Sequence, residues 1–314
     1  MLNWKLGTPL ALAALLLATS AVAETKLRVA AWNIADLHHE AGVEARPTIG
    51  TKRSNADLEK LIQYAADIDA DVIALQEIAT KEAAERIFGD DYKIFMSGRK
   101  KVDLSDEKSN GIYTAIAVRK TNKIKVLIEQ DLKTLGITQE KDGETYSTRW
   151  GKSLLLEIGG EKLWFLSVHL KSSCSSTNKL DISTSEHCQI LWQQQAPLTQ
   201  WINERVEKNI PFIVAGDFNR RFRQLKDEGR LWAALNNDDL ENPVLVKHPE
   251  TVTRKCPTRK GKSTEPIDWI LLDASIAHWY IEDSFWETRF RNEDVKKHWR
   301  RLSDHCPIHV DLQI

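Results

Sequence analysis

Phe212-Ile213-Val214-Ala215-Gly216-Asp217-Phe218-Asn219 is a short apolar run that ends in polar residues. Four apolar residues bounded by glycine read as a buried strand running out into a turn, so the strand delivers Asp217 and Asn219 at its end. The same arrangement recurs along the chain. Residues 27–34 form a β-rich run carrying Asn33 in Ala-Trp-Asn-Ile, and residues 71–75 lead into Gln76-Glu77. Residues 163–170 carry His169 near their far end, and 267–272 begin at Ile267-Asp268. Ser303-Asp304-His305-Cys306-Pro307 stands just before the last strand-like run, 307–312. A lone carboxylate buried at any of these places costs several kcal/mol or is forced neutral. Several converging carboxylates are best explained by a cation, and all-oxygen donors suit Mg²⁺ first, with Mn²⁺ or Ca²⁺ next.

Between these runs the chain alternates short strands with polar helices and loops. Ser54 with Asp57 three residues on predicts a capped helix carrying Leu58, Leu61, Ile62 and Ala65 on one face. Residues 154–158 and 163–170 flank Gly159-Gly160 and predict a hairpin. A helix is expected from about 185 to 207, kinked or interrupted at Pro197. Strands and helices do not alternate with clean parallel spacing, which points to a mixed, two-layer sheet core in one domain over residues 24–314.

The first 23 residues read as a secretory signal. Lys5 gives a positive start, residues 10–18 form a short apolar run, and Ala21-Val22-Ala23 offers small residues for cleavage. The run is too short to span a bilayer. A secreted or periplasmic protein is expected, monomeric and without stable membrane insertion. Cys174, Cys188, Cys256 and Cys306 are an even set, which in an exported chain suggests two disulfides. Four cysteines permit three pairings; Cys174–Cys188 would close a short polar loop and leave Cys256–Cys306. Zinc is disfavoured, because no C-x-x-C pair is present. The formal net charge of −1 argues against coating nucleic acid by bulk charge and leaves local patches open.

Taken together and in this order, Asn33, Gln76-Glu77, His169, Gly-Asp217-Phe-Asn219, Asp268 and Asp304-His305 resemble the motifs of the endonuclease/exonuclease/phosphatase superfamily. That superfamily includes pancreatic-type DNases, abasic-site endonucleases, inositol polyphosphate phosphatases and bacterial sphingomyelinases. The resemblance covers roughly residues 26–314. It implies a four-layered α/β sandwich, with two facing mixed β-sheets and helices outside. It further implies that Glu77 is the main metal ligand, helped by Asn33 and Asp304, and that His305 works with Asp268. Asp217 and Asn219 would orient the nucleophile and bind phosphoryl oxygens, and His169 would donate to the scissile phosphate. Family members differ over whether the aspartate or the histidine is the base, so Asp217 and His305 both stay open. Arg149 resembles an arginine that contacts phosphates in the nuclease branch. One departure stands out: in pancreatic-type DNases the histidine matching His169 leans on a glutamate from an earlier strand, and residues 110–118 contain no acid.

Basic and aromatic residues precede the Asp-His pair: Trp286, Arg289, Phe290, Arg291, Lys296, Lys297, Trp299, Arg300 and Arg301. A second basic stretch, 254–262, precedes Asp268. Such loops suit a phosphate backbone, and they favour nucleic acid, DNA above all, as substrate, with Arg149, Arg300 and Arg301 as contacts. A sphingomyelinase-like lipid phosphodiesterase would need an exposed apolar hairpin, and an inositol polyphosphate phosphatase a compact pocket. An inactive binding module on the same fold has no need of an intact His305 and Asp268.

Overall fold

The computed structural model describes residues 25–46, 50–99, 111–141, 144–174, 180–222, 230–236, 244–249, 256 and 266–314. The expected signal at 1–23 lies outside the described residues, as does the basic stretch 254–262 apart from Cys256.

Period-two alternation in the strands decides the layering. In β1 (Lys26–Leu37), Leu27, Val29 and Ala31 face one way and Ala30, Trp32 and Ile34 the other, yet both sets are buried. A strand buried on both faces must be covered on both. The first set meets Leu154, Leu156, Phe165, Ile213, Ala215 and Ile270 of a second sheet, and the other set meets Leu58, Leu61, Tyr64 and Ile68 of helix α1 (Asn55–Ile68).

The first sheet runs β13 (Trp286–Glu287), β14 (Ile308–Gln313), β1, β2 (Val72–Ile78), β4 (Tyr113–Arg119), β3 (Tyr92–Met96). The second runs β11 (Leu245–His248), β12 (Asp268–Asp273), β10 (Phe212–Asp217), β9 (Glu161–His169), β8 (Gly151–Ile158), β5 (Ile124–Leu132). Both are mixed, with β1–β2 and β9–β10 parallel beside antiparallel pairs. Outside the first sheet lie α1 and α2 (Lys81–Phe88). Outside the second lie α3 (Glu186–Gln193), α4 (Gln195–Glu207) and α5 (Arg230–Asn236). This is the four-layered sandwich expected.

Ser54 caps α1 through a reciprocal capping box with Asp57. Gly159 and Gly160 turn the β8–β9 hairpin at φ 60° and 92°, a left-handed pair that suits glycine. Two expectations need correction. The helix after residue 185 breaks at Gln194, not at Pro197, which lies in the first turn of α4, where a proline's missing N–H is not needed. The basic segment before Asp304 is not a loop throughout: residues 292–298 form α6 (Asn292–His298), held to α1 by Tyr64 Oη donating to Asp294 (2.8 Å) and by the His298–Asp57 contact (2.5 Å).

The sulfurs pair as Cys174–Cys188 and Cys256–Cys306. Among the described residues no helix is long and apolar enough to cross a membrane. Trp32, Trp164, Trp201 and Trp269 are core residues, whereas Trp286 is 58% exposed. A small hairpin of β6 (Thr138–Lys141) and β7 (Glu144–Ser147) stands apart, and its sequence is polar except for Tyr146.

Candidate active site

Sheet register brings three polar strand ends side by side. Asp217, the last residue of β10, pairs with His169 at the end of β9 and with Asp268 at the start of β12. Gly216 makes this packing possible. A Cβ there would sit 2.2 Å from the Val168 carbonyl oxygen and 2.7 Å from Gln76 Nε2, the side chain that crosses from the other sheet to Ser167 (3.2 Å).

The first sheet supplies the facing half. The β1–β2 register shifts between Asn33 and Leu37, and the β2–β4 register between Leu75 and Ile78. These bulges re-aim the strand ends. Ala35, Asp36 and Glu77 take left-handed backbone angles (φ 45°, 54° and 61°), as does Asn219 opposite (φ 51°). A non-glycine residue pays about 1–2 kcal/mol for that conformation. Four such residues at one end of the sandwich mark a place where geometry overrides local preference. Glu77 is thereby turned into the cleft, with Oε2 accepting from Asp36 N (3.0 Å).

Asn33 joins the halves: its Nδ2 lies 3.3 Å from Glu77 Oε1 and 3.1 Å from Asp217 Oδ2. Asp217 Oδ1 accepts from Asn219 N (2.8 Å), and Asn219 Nδ2 donates to Leu170 O (3.1 Å). His305 Nδ1 lies 2.9 and 2.8 Å from the two oxygens of Asp268, and its Nε2 lies 3.9 Å from Asp217 Oδ2. Its backbone is fixed by Ser303 Oγ, which accepts from His305 N (3.0 Å) and donates to Asn33 O (2.7 Å).

Electrostatics follow from this burial. Taking His305 out of water would lower its pKa, but the carboxylates of Asp268 and Asp217 outweigh that and push it up, favouring the imidazolium. Burial also pushes Asp217 up, well above the usual carboxylate range, which disfavours its charged form. His169 is held well below 6.5 by burial and by the neighbouring Arg149 charge. Its Nε2 lies 3.5 Å from Asp217 Oδ2, and its Nδ1 is buried without a partner among the described residues. Among the described residues no acid accepts from that nitrogen; Glu77, near the end of β2, lies 3.9 Å from His169 Nε2 instead.

Other expected site residues fall differently. Arg149 is not a solvated loop side chain: its guanidinium donates to the carbonyls of Leu170 (3.0 Å) and His169 (3.4 Å), bracing the end of β9. Arg301 lines the cleft, but its Nε is committed to Asp57 (2.9 Å) and its Nη2 to Lys297 O (2.7 Å). Arg300 falls in the turn after α6, and its side chain lies outside the described residues. Asp304 is 76% exposed on the cleft wall, with Oδ1 3.9 Å from His305 Nε2.

The tightest group of ligand-type atoms among the described residues, all within 4.8 Å, is Asp217, Asp268 and His305. Those atoms are largely spent on each other and on Asn33 and Asn219. Glu77, by contrast, opens onto a cleft of about 630 Å³ with Asp304 on its wall. Its hard oxygen donors and partly exposed position suit a divalent cation, with Asp304 as a further oxygen donor. Asn33, expected as a ligand, instead turns its amide nitrogen to Glu77 and spends its Oδ1 on Ala35 N (3.0 Å). Sequence reasoning missed two arginines here. Arg46 lines the cleft, pairs with Asp36 (Nη2 to Oδ2, 2.8 Å) and stands 3.9 Å from Glu77. Arg53 is buried beneath it. Neither lies on a periodic element, so no pattern announces them.

The sequence profile of the endonuclease/exonuclease/phosphatase family matches residues 30–305. The chain belongs to this family. Its members are phosphoesterases that generally use divalent metals. Solved structures share the fold at low identity. An endonuclease/exonuclease/phosphatase family protein from Bacteroides thetaiotaomicron is 17% identical with a TM-score of 0.56, covering 93% of this chain and 98% of that one. A mannosyl-6-phosphatase from the same organism is 17% identical with a TM-score of 0.54, covering 90% and 98%. D. rerio TDP2 complexed with a single-strand DNA product is 18% identical with a TM-score of 0.53, covering 91% and 98%. No curated protein sequence matches the chain.

Proposed function

We propose that this family member is an exported, metal-dependent phosphodiester hydrolase acting on nucleic acid, DNA above all. The observation that carries the hydrolase reading is the Asp268–His305 pair aimed at Asp217, with Asn33 linking Asp217 to Glu77. Asp268 holds one ring nitrogen of His305 and favours its charged form, so His305 Nε2 serves as a donor. Asp217 Oδ2, at the meeting point of Asn33, His169 and His305, takes the proton of the attacking water. His169 donates from Nε2 to a phosphoryl oxygen, and Asn219 keeps Asp217 turned inward. A divalent cation at Glu77, with Asp304 beside it, would neutralise charge on the phosphoryl and leaving oxygens, while Asn33 orients Glu77 and Asp217 through Nδ2.

For nucleic acid the support is the exposed Arg289, Arg291, Lys296 and Lys297 around α6, and Arg46, Lys52 and Trp299 on the cleft wall. The polar β6–β7 hairpin gives no support to a lipid-surface enzyme. Two disulfides are compatible with an oxidising compartment.

The deciding experiment is hydrolysis of bis(p-nitrophenyl) phosphate with Mg²⁺ or Mn²⁺ and with EDTA, run beside DNA, RNA, sphingomyelin vesicles and an inositol phosphate. Chelator-sensitive cleavage of DNA supports the reading. Hydrolysis of sphingomyelin or an inositol phosphate with no nucleic-acid cleavage overturns the substrate, and indifference to EDTA overturns the metal.

A further inference from the structure

Arg53 is 2% exposed and makes no ion pair within 4 Å among the described residues. Burial lowers its pKa to about 10, which leaves it charged. A buried guanidinium without a carboxylate must be satisfied otherwise, and Arg53 satisfies it with five main-chain carbonyls. Nη2 donates to Ile34 O (2.8 Å), Ala35 O (2.6 Å) and Leu302 O (2.8 Å). Nη1 donates to Asp36 O (3.0 Å), and Nε to Arg301 O (2.7 Å).

These carbonyls belong to two segments far apart in sequence. Residues 34–36 form the left-handed turn at the end of β1, which starts from Asn33 and whose Asp36 N–H holds Glu77. Residues 301–302 lead into Ser303, which fixes the His305 backbone and bonds back to Asn33 O. The guanidinium is therefore a clamp between the Glu77 side and the His305 side of the cleft. Its planar fork has five N–H donors, whereas a lysine ammonium has three around one point.

We infer that Arg53 is a positioning residue for phosphoester hydrolysis: it sets the separation of Glu77 from His305 by binding the carbonyls of both segments. The inference rests on the hydrolase reading above and extends it to a residue that touches neither substrate nor metal. A misplacement of about 1 Å at a reacting centre costs on the order of a hundredfold in rate.

The test uses the full, oxidised chain with Arg53→Lys and Arg53→Ala. Both are followed by thermal unfolding, by kcat and KM on bis(p-nitrophenyl) phosphate, and by amide hydrogen exchange of peptides covering 34–37 and 301–305. Arg53→Lys is expected to stay folded, lose about 10- to 100-fold in kcat with little change in KM, and exchange faster in both peptides. Millimolar methylguanidinium is expected to restore part of the Arg53→Ala activity, which a general loss of stability would not allow. A folded Arg53→Lys with wild-type kcat and wild-type exchange overturns the inference. If Arg53→Ala does not fold, Arg53→Lys decides alone. If the wild type hydrolyses no phosphodiester, the hydrolase reading falls, and unchanged exchange at both segments in Arg53→Lys would still show separately that the clamp is absent.

Discussion

His305 Nδ1 faces both oxygens of Asp268, at 2.9 and 2.8 Å, while His305 Nε2 faces Asp217 across 3.9 Å. An imidazole held this way has one orientation and one available nitrogen. Asp268→Asn keeps the shape but removes the anion and lets the ring adopt the wrong tautomer. The expected loss in kcat is about 10²–10⁴-fold, by analogy with other aspartate–histidine pairs. His305→Ala should lose at least as much. Steady-state kinetics on a small diester, with circular dichroism to confirm folding, check this; near-normal turnover in both variants would move the chemistry to another histidine.

Glu77→Gln tests the cation site. The substitution preserves volume and the hydrogen bond from Asp36 N, so the fold should hold. A neutral amide is a poorer ligand for a hard cation than a carboxylate. Mn²⁺ affinity, read by calorimetry, should fall at least tenfold or so, and turnover with it. Wild-type Mn²⁺ binding in the variant would place the metal elsewhere.

Which parts of this site the sequence announced has a physical explanation. His169, Asp217 and Asp268 were legible because each interrupts an apolar strand, and strands in register carry their ends to one place. The strand pattern pointed only to a mixed, two-layer sheet core, and the four layers were what the family resemblance implied. Glu77 was legible as a strand-end acid, but its turn into the cleft depends on a bulge and a left-handed residue that no local pattern encodes. Arg53 and Arg46 sit in a loop where basic side chains are ordinarily solvated, so only tertiary contacts reveal them. The α6 segment looked like a basic loop because its charged residues mask Asp294 and His298, the two that dock it on α1.

Beside His169, which burial holds well below 6.5 in the active site, two buried histidines outside it are expected to make the fold sensitive to acid. His248 stacks on Tyr280 at 4.0 Å, and burial holds its pKa down to about 4. His309 is also held to about 4, by burial first and by the Arg28 and Lys26 charges next, with Asp311 opposing. Each has one ring nitrogen buried without a partner among the described residues. Unfolded histidine titrates near 6.5. Below that pH the unfolded chain takes up protons that the folded chain refuses, so stability falls as pH drops from 6.5 to 4. The slope is at most about 1.4 kcal/mol per pH unit for each histidine. Urea midpoints should decline over this window, and the double variant His248→Gln, His309→Gln should decline less. Parallel profiles would assign the acid sensitivity to other groups. Asp311, lowered to about 2 mainly by its hydrogen bonds to Arg28 and Lys26 against the effect of burial, adds its own loss only below about pH 4.

Arg301 should behave as a structural residue. Its Nε bonds Asp57, a buried carboxylate that also caps α1 through Ser54 and contacts His298. Burial would raise the Asp57 pKa, but these hydrogen bonds hold it well below the usual range. Arg301→Ala leaves that buried anion short of a partner, at a cost on the order of 1–3 kcal/mol. Denaturant unfolding should show this loss, while KM for DNA changes little. A large rise in KM with unchanged stability would return Arg301 to the substrate.

Lys296 and Lys297 are the better test of nucleic acid as substrate. Both are exposed on α6, the helix that runs directly into Trp299 on the cleft wall. Lysines that contact phosphates release counterions, so each contact adds about one unit to the slope of log affinity against log salt. Replacing both with alanine should therefore raise KM for DNA at low salt and flatten its salt dependence by up to about two units. Turnover of bis(p-nitrophenyl) phosphate should not move, because that substrate needs only the Glu77, Asp217 and His305 end of the cleft. Unchanged DNA kinetics in the double variant would remove α6 from the binding surface. A DNA rate that is slow and independent of salt in the wild type, beside fast hydrolysis of an inositol phosphate, would instead favour a compact substrate held within the cleft.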